Sequence, residues 1–312
     1  MKGSNDGGWR ADMVETAQES EIGFIGLGSM GSCLARRLLA RNHRVAGFDP
    51  SPDAMRDFVA AGGHGAASIA ELTAHAPALL LALSSFGAFQ RVIDEIVAAP
   101  GDGGVVIDIN TLSPDDKRAA RDRLAGAGWR MLDCTISGTP EMVARDLHGF
   151  YVSGDAGAAQ AVAPLIADIV DAPFDMGEFG NAAIIKLVIN HMVVCHNVVA
   201  AEAMSLALKA GLDAETVYRT ITASAGNSRI FEVRGRMMAE ERYPPETMYQ
   251  LIVDKDALVI AEMARTLRHP LPMFAPALQA HVGALSTRWA NTDPASLCAV
   301  MEERSGVERR RP

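Results

Sequence analysis

"EIGFIGLGSMG", residues 21–31, decides how the chain begins to fold. Ile22, Phe24 and Ile25 form a short apolar run of strand length, and "MGSCLARRLLARN" continues from Met30 with helical spacing. Between them Gly26, Gly28 and Gly31 stand in the G-x-G-x-x-G pattern. The first glycine permits a tight turn, the second lets a pyrophosphate approach the backbone, and the third lets helix and strand pack closely. The helix N-terminus adds free N–H groups and the positive end of its dipole. Gly26, Leu27, Gly28, Ser29, Met30 and Gly31 are therefore expected to bind a dinucleotide. Asp49 ends the next apolar run, "HRVAGFD", about twenty residues on, where an acid reads the ribose hydroxyls. A carboxylate there repels a 2′-phosphate, and Pro50 follows it in place of an arginine. NAD is favoured on that ground, with Arg44 and Arg56 near enough to leave NADP open.

Strand and helix patterns alternate outward from this turn. "ALLLAL", "GGVVIDIN", "RMLDCT", "LHGFYVSGD" and "PFDMGE" read as further strands. "PSPDAMRDFVAAG", "SIAELTAHA", "FGAFQRVIDEIVAA", "SPDDKRAARDRLAGAG" and a stretch near 156–170 read as the helices between them. Such alternation predicts an α/β Rossmann domain, a doubly wound and mostly parallel sheet, over residues 21–178. Ligands in these sheets lie at the carboxyl ends of strands, so Leu83, Ser84 and Ser85 in one loop and Asn110 and Thr111 in another are expected to face the nicotinamide. Beyond 178 the alternation stops. Residues 179–305 show helical periodicity only, over 180–210, 213–223, 227–240, 246–266, 274–288 and 293–303, and predict an all-helical domain for substrate binding or dimerisation. Residues 1–20 read as a flexible extension without the apolar core of a signal peptide, and 306–312 as a solvated tail.

Composition narrows the classes of function. With 29 Lys and Arg against 38 Asp and Glu, the net charge of −9 argues against nucleic-acid binding, which needs clustered cations. Cys33, Cys134, Cys195 and Cys298 make no C-x-x-C pair, so they are expected as reduced thiols of a cytoplasmic protein with no metal centre. No stretch is expected to span a membrane, because the longest apolar run carries Lys186, Asn190, His191, His196, Asn197 and Glu202.

That run, "GNAAIIKLVINHMVVCHNVV" at 180–199, holds the second chemical signal. Positions four and seven apart share a helix face, so Lys186, Asn190 and Asn197 form one polar stripe, flanked by His191. Lysines commonly snorkel to solvent. Here Ile184, Ile185, Leu187, Val188 and Ile189 surround Lys186 and leave no broad wet face. A buried lysine has a lowered pKa suited to proton transfer, so Lys186 is the expected acid/base group.

These blocks together resemble the β-hydroxyacid dehydrogenase family, which includes 3-hydroxyisobutyrate, tartronate semialdehyde and 6-phosphogluconate dehydrogenases. "GFIGLGSMG", "VIDINTLSP", "LDCTISGTP", "GNAAIIKLVINH" with "AEAMSLALKAGLD", and "LIVDKDALVIAEMA" carry the resemblance, which spans about residues 21 to 305. It implies that Lys186 is the catalytic acid/base and that Asn190 helps to hold a small hydroxy acid. It implies further that Ser137 and Gly138 bind that substrate, with its carboxylate on the loop through Thr139, and that Thr111 and Lys255 touch the cofactor. A homodimer or homotetramer is implied as well. The chain departs from the family pattern where Ser137-Gly138-Thr139-Pro140 replaces Ser-Gly-Gly, and where Ala182 replaces a common glycine. Arg145, Arg229 and Arg234 are candidates for a second anionic group of the substrate, each weighed against an ordinary surface arginine. Two other readings stand beside this one: an NADPH-dependent imine reductase-like enzyme, which would not use a lysine for proton transfer, and a non-catalytic NAD(P)-binding protein of the same fold.

Overall fold

The expected alternation of strands and helices builds one sheet of eight strands in the computed structural model, which describes residues 21–245 and 249–309. Strands β1 (Ile22–Ile25), β2 (Val45–Phe48), β3 (His64–Gly65), β4 (Ala78–Leu81), β5 (Gly104–Asp108), β6 (Trp129–Ser137), β7 (Gly149–Gly154) and β8 (Phe174–Asp175) lie in the order β3-β2-β1-β4-β5-β6-β7-β8. Helices α1 (Ser29–Ala40), α2 (Pro52–Ala60), α3 (Ile69–His75), α4 (Phe86–Ala98) and α5 (Pro114–Gly126) connect the first six strands. Helices α6 (Pro140–Ala144), α7 (Ala156–Ala161) and α8 (Ala163–Ile169) follow. Every pairing is parallel except β6 with β7, where Ser137 stands opposite Gly149 and Thr135 opposite Tyr151.

The strand order reverses between β1 and β4, which creates the crevice where such sheets bind ligands. Side chains alternate between two cores, as a pleated sheet covered on both faces requires. Phe24, Leu80, Ile107 and Leu132 point into one, while Ile25, Leu79, Val106 and Met131 point into the other. Local chemistry starts the helices where the sequence suggests. Ser51, Ser68, Ser85 and Ser113 accept N-capping bonds, and Pro52 and Pro114 occupy the first helical turn.

By contacts the chain divides into a unit ending at Lys186 and a second starting at Leu187. The second holds most of α9 (Asn181–Lys209), then α10 (Ala214–Thr222), α11 (Arg236–Glu240), α12 (Tyr249–Leu251), α13 (Ala257–Leu267), α14 (Phe274–Ala284) and α15 (Leu297–Ser305). Its core gathers Leu187, Val194, Met204, Phe231, Tyr249, Ile260, Phe274 and Leu297.

Several details differ from the sequence expectation. The short edge strand β3 carries no hydrophobic alternation and was not foreseen, and the helix expected over 156–170 is broken at Val162, just before Pro164. The runs 227–240 and 246–266 are not uniform α-helix. Phe231–Gly235 and Ile252–Asp256 are π-helical turns, and residues 246–248 lie outside the described residues, as does the extension 1–20. On length and composition α9 is apolar enough to cross a bilayer, contrary to expectation, yet Leu187, Val194, Val198, Ala201 and Met204 pack it into the helical core. Of the tail expected to be solvated, residues 310–312 lie outside the described residues, and Arg309 is half-buried, not solvated. Arg309 folds back onto Glu302 at 2.6 and 2.8 Å and donates to the carbonyls of Met238 and Ala239. The four cysteines are unbridged.

Candidate active site

The three glycines of the first turn do three different things. Gly26 adopts φ +93°, and a Cβ there would stand 2.2 Å from the Ala82 carbonyl oxygen. A Cβ on Gly31 would stand 2.1 Å from the Gly26 carbonyl oxygen, so this glycine lets α1 close onto the turn. A Cβ on Gly28 would meet nothing within 4 Å. Gly28 also precedes α1, whose first turn has neither a side-chain cap nor an acidic residue. Open space beside uncapped N–H groups suits a pyrophosphate, and the residues at 26–31 fit a dinucleotide. Leu27 is buried, Ser29 exposed and Met30 half-buried.

Asp49 stands at the end of β2 with both carboxylate oxygens engaged. Oδ2 accepts from the Leu27 N–H at 2.7 Å and Oδ1 from the Ser51 N–H at 2.8 Å. The acid therefore holds the glycine turn. Arg56 is paired with Asp53 at 2.5 Å and Arg44 lies 3.9 Å from Glu21.

The next two strand ends are joined. Asn110, buried beyond β5, accepts from the Leu83 N–H at 2.6 Å and donates its amide to Asp108. It acts as a strut between loops, a role its place in a polar loop did not reveal, while Ser84 is exposed and Thr111 half-buried. Ser85 caps α4.

β6 runs on to Ser137 and ends in the loop of the substrate candidates. Ser137, Gly138 and Thr139 are all half-buried. Thr139 is the N-cap of α6: its hydroxyl accepts from the Met142 N–H at 3.4 Å and donates to Glu141 at 2.6 Å. Pro140 occupies the first position of that short helix. Tyr151 also belongs here and was missed. Its hydroxyl interacts with the Ser137 side chain, which opposes the rise that burial imposes on the phenol. Gly149, across from Ser137, leaves the room, since a Cβ there would lie 2.8 Å from that hydroxyl. The signal was the missing side chain at 149, two residues before a tyrosine on the same face.

Lys186 lies in the second turn of α9, half-buried where full burial was expected, with Val188 exposed nearby. The first turn of this helix is fastened to the sheet. Asp133 accepts from the Ala183 N–H at 2.8 Å, Ser153 from the Ala182 N–H at 3.1 Å, and Thr135 donates to the Ala182 carbonyl at 2.9 Å. Asn190, one turn beyond Lys186, is buried and donates to Asp256 Oδ2 at 2.9 Å. Lys255 precedes that aspartate in the π-helical turn, a geometry frequent at functional sites.

Other members of the expected stripe serve the helical core. Asn197 is fully buried and donates to the Pro294 carbonyl, and His191 packs its ring on Phe274. Of the three arginines, Arg145 is exposed and Arg229 pairs with Glu232. Arg234 is not a surface residue: it forms a buried ion pair with Asp293 at 3.0 Å.

A family model for the NAD-binding domain of 6-phosphogluconate dehydrogenase matches residues 21–177. A second, described as the NAD-binding of NADP-dependent 3-hydroxyisobutyrate dehydrogenase, matches residues 180–301. The L-threonate dehydrogenase of Cupriavidus necator is 31% identical over 283 residues, 89% of this chain and 95% of that protein. The chain belongs to the β-hydroxyacid dehydrogenase family. As a β-hydroxyacid dehydrogenase it is an NAD(P)-dependent oxidoreductase of hydroxy acids. A solved 3-hydroxyisobutyrate dehydrogenase from Salmonella typhimurium shares the fold at a TM-score of 0.81 and 27% identity, covering 90% of this chain and 100% of that one. An imine reductase from Pseudomonas sp. shares the fold alone, at 0.63 and 19% identity over 90% of this chain and 99% of that one.

Proposed function

We propose that this dehydrogenase oxidises a small 2- or 3-hydroxy acid with NAD, with Lys186 as the proton-transfer group. The observation that carries the reading is the arrangement along β6. One nine-residue strand supplies both the anchors of the Lys186 helix, Asp133 and Thr135, and the start of the Ser137–Thr139 loop. Substrate carboxylate binding on that loop would bring the neighbouring hydroxyl toward the helix.

A bound nicotinamide supplies the hydride acceptor. Neutral Lys186 accepts the hydroxyl proton at Nζ as the carbonyl forms, and the ammonium returns it in the reverse direction. Asn190 orients the substrate oxygen, its own amide held by Asp256. Ser137 supplies a hydroxyl and Gly138 a backbone N–H to the carboxylate. Thr111 and Lys255 are assigned to the cofactor, together with Leu83 and Ser84. NAD is favoured over NADP because Asp49 ends β2, where an acid would read the ribose hydroxyls, and the two nearby arginines already face carboxylates.

We also assign a homo-oligomer formed through α9. Val188, Met192, Val199 and Leu206 are exposed at spacings of four and seven, a stripe that a second copy would cover. The unbridged thiols suit a reducing, cytoplasmic setting.

The deciding experiment follows absorbance at 340 nm with NAD and NADP in parallel, over a panel of 2- and 3-hydroxy acids that includes L-threonate and 3-hydroxyisobutyrate. Turnover with at least one acid is expected, and Lys186→Ala should lower kcat by at least about 10²-fold with the fold intact. Near-normal turnover in that variant would sink the assignment. Reduction of cyclic imines without hydroxy-acid turnover would move the chain to imine-reductase chemistry.

A further inference from the structure

Lys117 is fully buried, an unusual place for a lysine, and it is not alone there. Its Nζ lies 2.7 Å from Asp133 Oδ1 and 2.9 Å from Asp108 Oδ2, and both aspartates are fully buried too. Burial by itself would lower the ammonium, but the charges of Asp108 and Asp133 outweigh it and hold the group protonated. Burial pushes the Asp108 carboxyl up against the pull of Lys117.

A buried ionic triad is a poor source of stability. Apolar residues of similar volume often do as well or better, because three groups must leave water. Its outward bonds suggest what it accomplishes. On one side Asp133 uses Oδ2 to accept from the Ala183 N–H at 2.8 Å and from the Ser153 hydroxyl at 3.0 Å. Ser153 in turn accepts from the Ala182 N–H. Two of the amide groups that open α9 are thus held three and four residues before Lys186. On the other side Asp108 accepts from the Asn110 amide, whose oxygen receives the Leu83 N–H.

We propose that Asp108, Lys117 and Asp133 are positioning residues, a buried strut that keeps the Lys186 helix in register with the strand-end loops at Leu83 and Asn110. The inference rests on the assignment of Lys186 as the proton-transfer group. Loss of the lysine leaves Asp133 Oδ1 without its ion-pair partner, so the carboxylate is no longer held in place to receive the Ala183 N–H. Hydride acceptor and proton acceptor then lose their fixed separation, which catalysis feels more strongly than ground-state binding does.

The test uses Lys117→Met and Ser153→Ala in the full-length protein. Hydrogen exchange followed by mass spectrometry reads peptides covering residues 180–190 without substrate, and steady-state kinetics are run beside Lys186→Ala. In Lys117→Met, exchange of the first-turn amides should rise at least about 10-fold. Its kcat should fall at least about 10-fold while KM for NAD stays within about threefold. Ser153→Ala keeps the triad and removes one helix anchor, so it should show the same split in milder form and decides the matter if Lys117→Met does not fold. Unchanged exchange, or faster exchange with wild-type kcat, would overturn the proposal. Full turnover in Lys186→Ala would instead remove the role of Lys186, leaving the exchange result to decide the anchoring.

Discussion

Asp49 reaches across the first crossover to Leu27, its Oδ2 lying 2.7 Å from the Leu27 N–H. On the proposed reading, cofactor choice and the shape of the glycine turn are tied to one carboxylate. Asp49→Ser should lower the NAD/NADP ratio of kcat/KM by at least about 10-fold, since the repulsion of a 2′-phosphate is gone. It should also weaken NAD itself, because the Leu27 N–H loses its acceptor. A ratio within twofold of the native one would remove Asp49 from cofactor recognition.

Gly28 and Gly31 should separate binding from folding. Gly28→Ala adds a methyl to open space at a φ of −65°, so thermal stability should hold while KM for the dinucleotide rises about 10-fold or more. Gly31→Ala drives a methyl against the Gly26 carbonyl and should cost about 1–3 kcal/mol in urea unfolding. Equal melting temperatures for the two variants would contradict this division.

Tyr151→Phe removes the hydroxyl that interacts with the Ser137 side chain and little else. KM for the hydroxy acid should rise about 3- to 10-fold, in line with roughly 1 kcal/mol, while KM for NAD is unaffected. A change confined to the dinucleotide would place the tyrosine elsewhere in the cycle.

His281 makes a prediction for pH. It is fully buried against Tyr249, its Nε2 3.3 Å from the Val194 carbonyl, and burial pushes its pKa down to about 4. An unfolded chain protonates this ring near pH 6.5, so between pH 6.5 and 4 the unfolded state binds more protons. Stability is then complete above about pH 6.5 and falls with acid by up to about 3 kcal/mol. Denaturant melts at pH 7 and 4.5 should show that loss, and His281→Leu should flatten it. An identical acid limb in the variant would assign the loss to other groups.

The sheet and the dinucleotide turn were legible because period and punctuation act locally: the apolar run, the three glycines and the Ser-Pro helix starts need no distant partner. Lys186 stood out for the same reason, as a charge in an apolar helix. What could not be read was pairing across sequence distance. Lys117 looked like one more polar residue in a charged helix, and only the sheet brings Asp108 and Asp133 to it. Arg234 looked like a surface cation until Asp293, far along the chain, buried it. The π-helical turns escaped because their hydrophobic spacing differs little from that of an α-helix.

The antiparallel return of β7 has a consequence for how such an enzyme diversifies. Because β7 begins beside the end of β6, residues 138–148 form a local excursion whose two ends are fixed by the Ser137–Gly149 pairing. Insertions or exchanges at its exposed positions leave the strand order untouched, while buried Val143 and the bonds from Arg37 to the Val143 carbonyl and Asp146 tie the excursion to α1. With substrate held by the Ser137–Thr139 loop as proposed, selection would retune substrate range in this excursion and leave the redox machinery of the crossover in place.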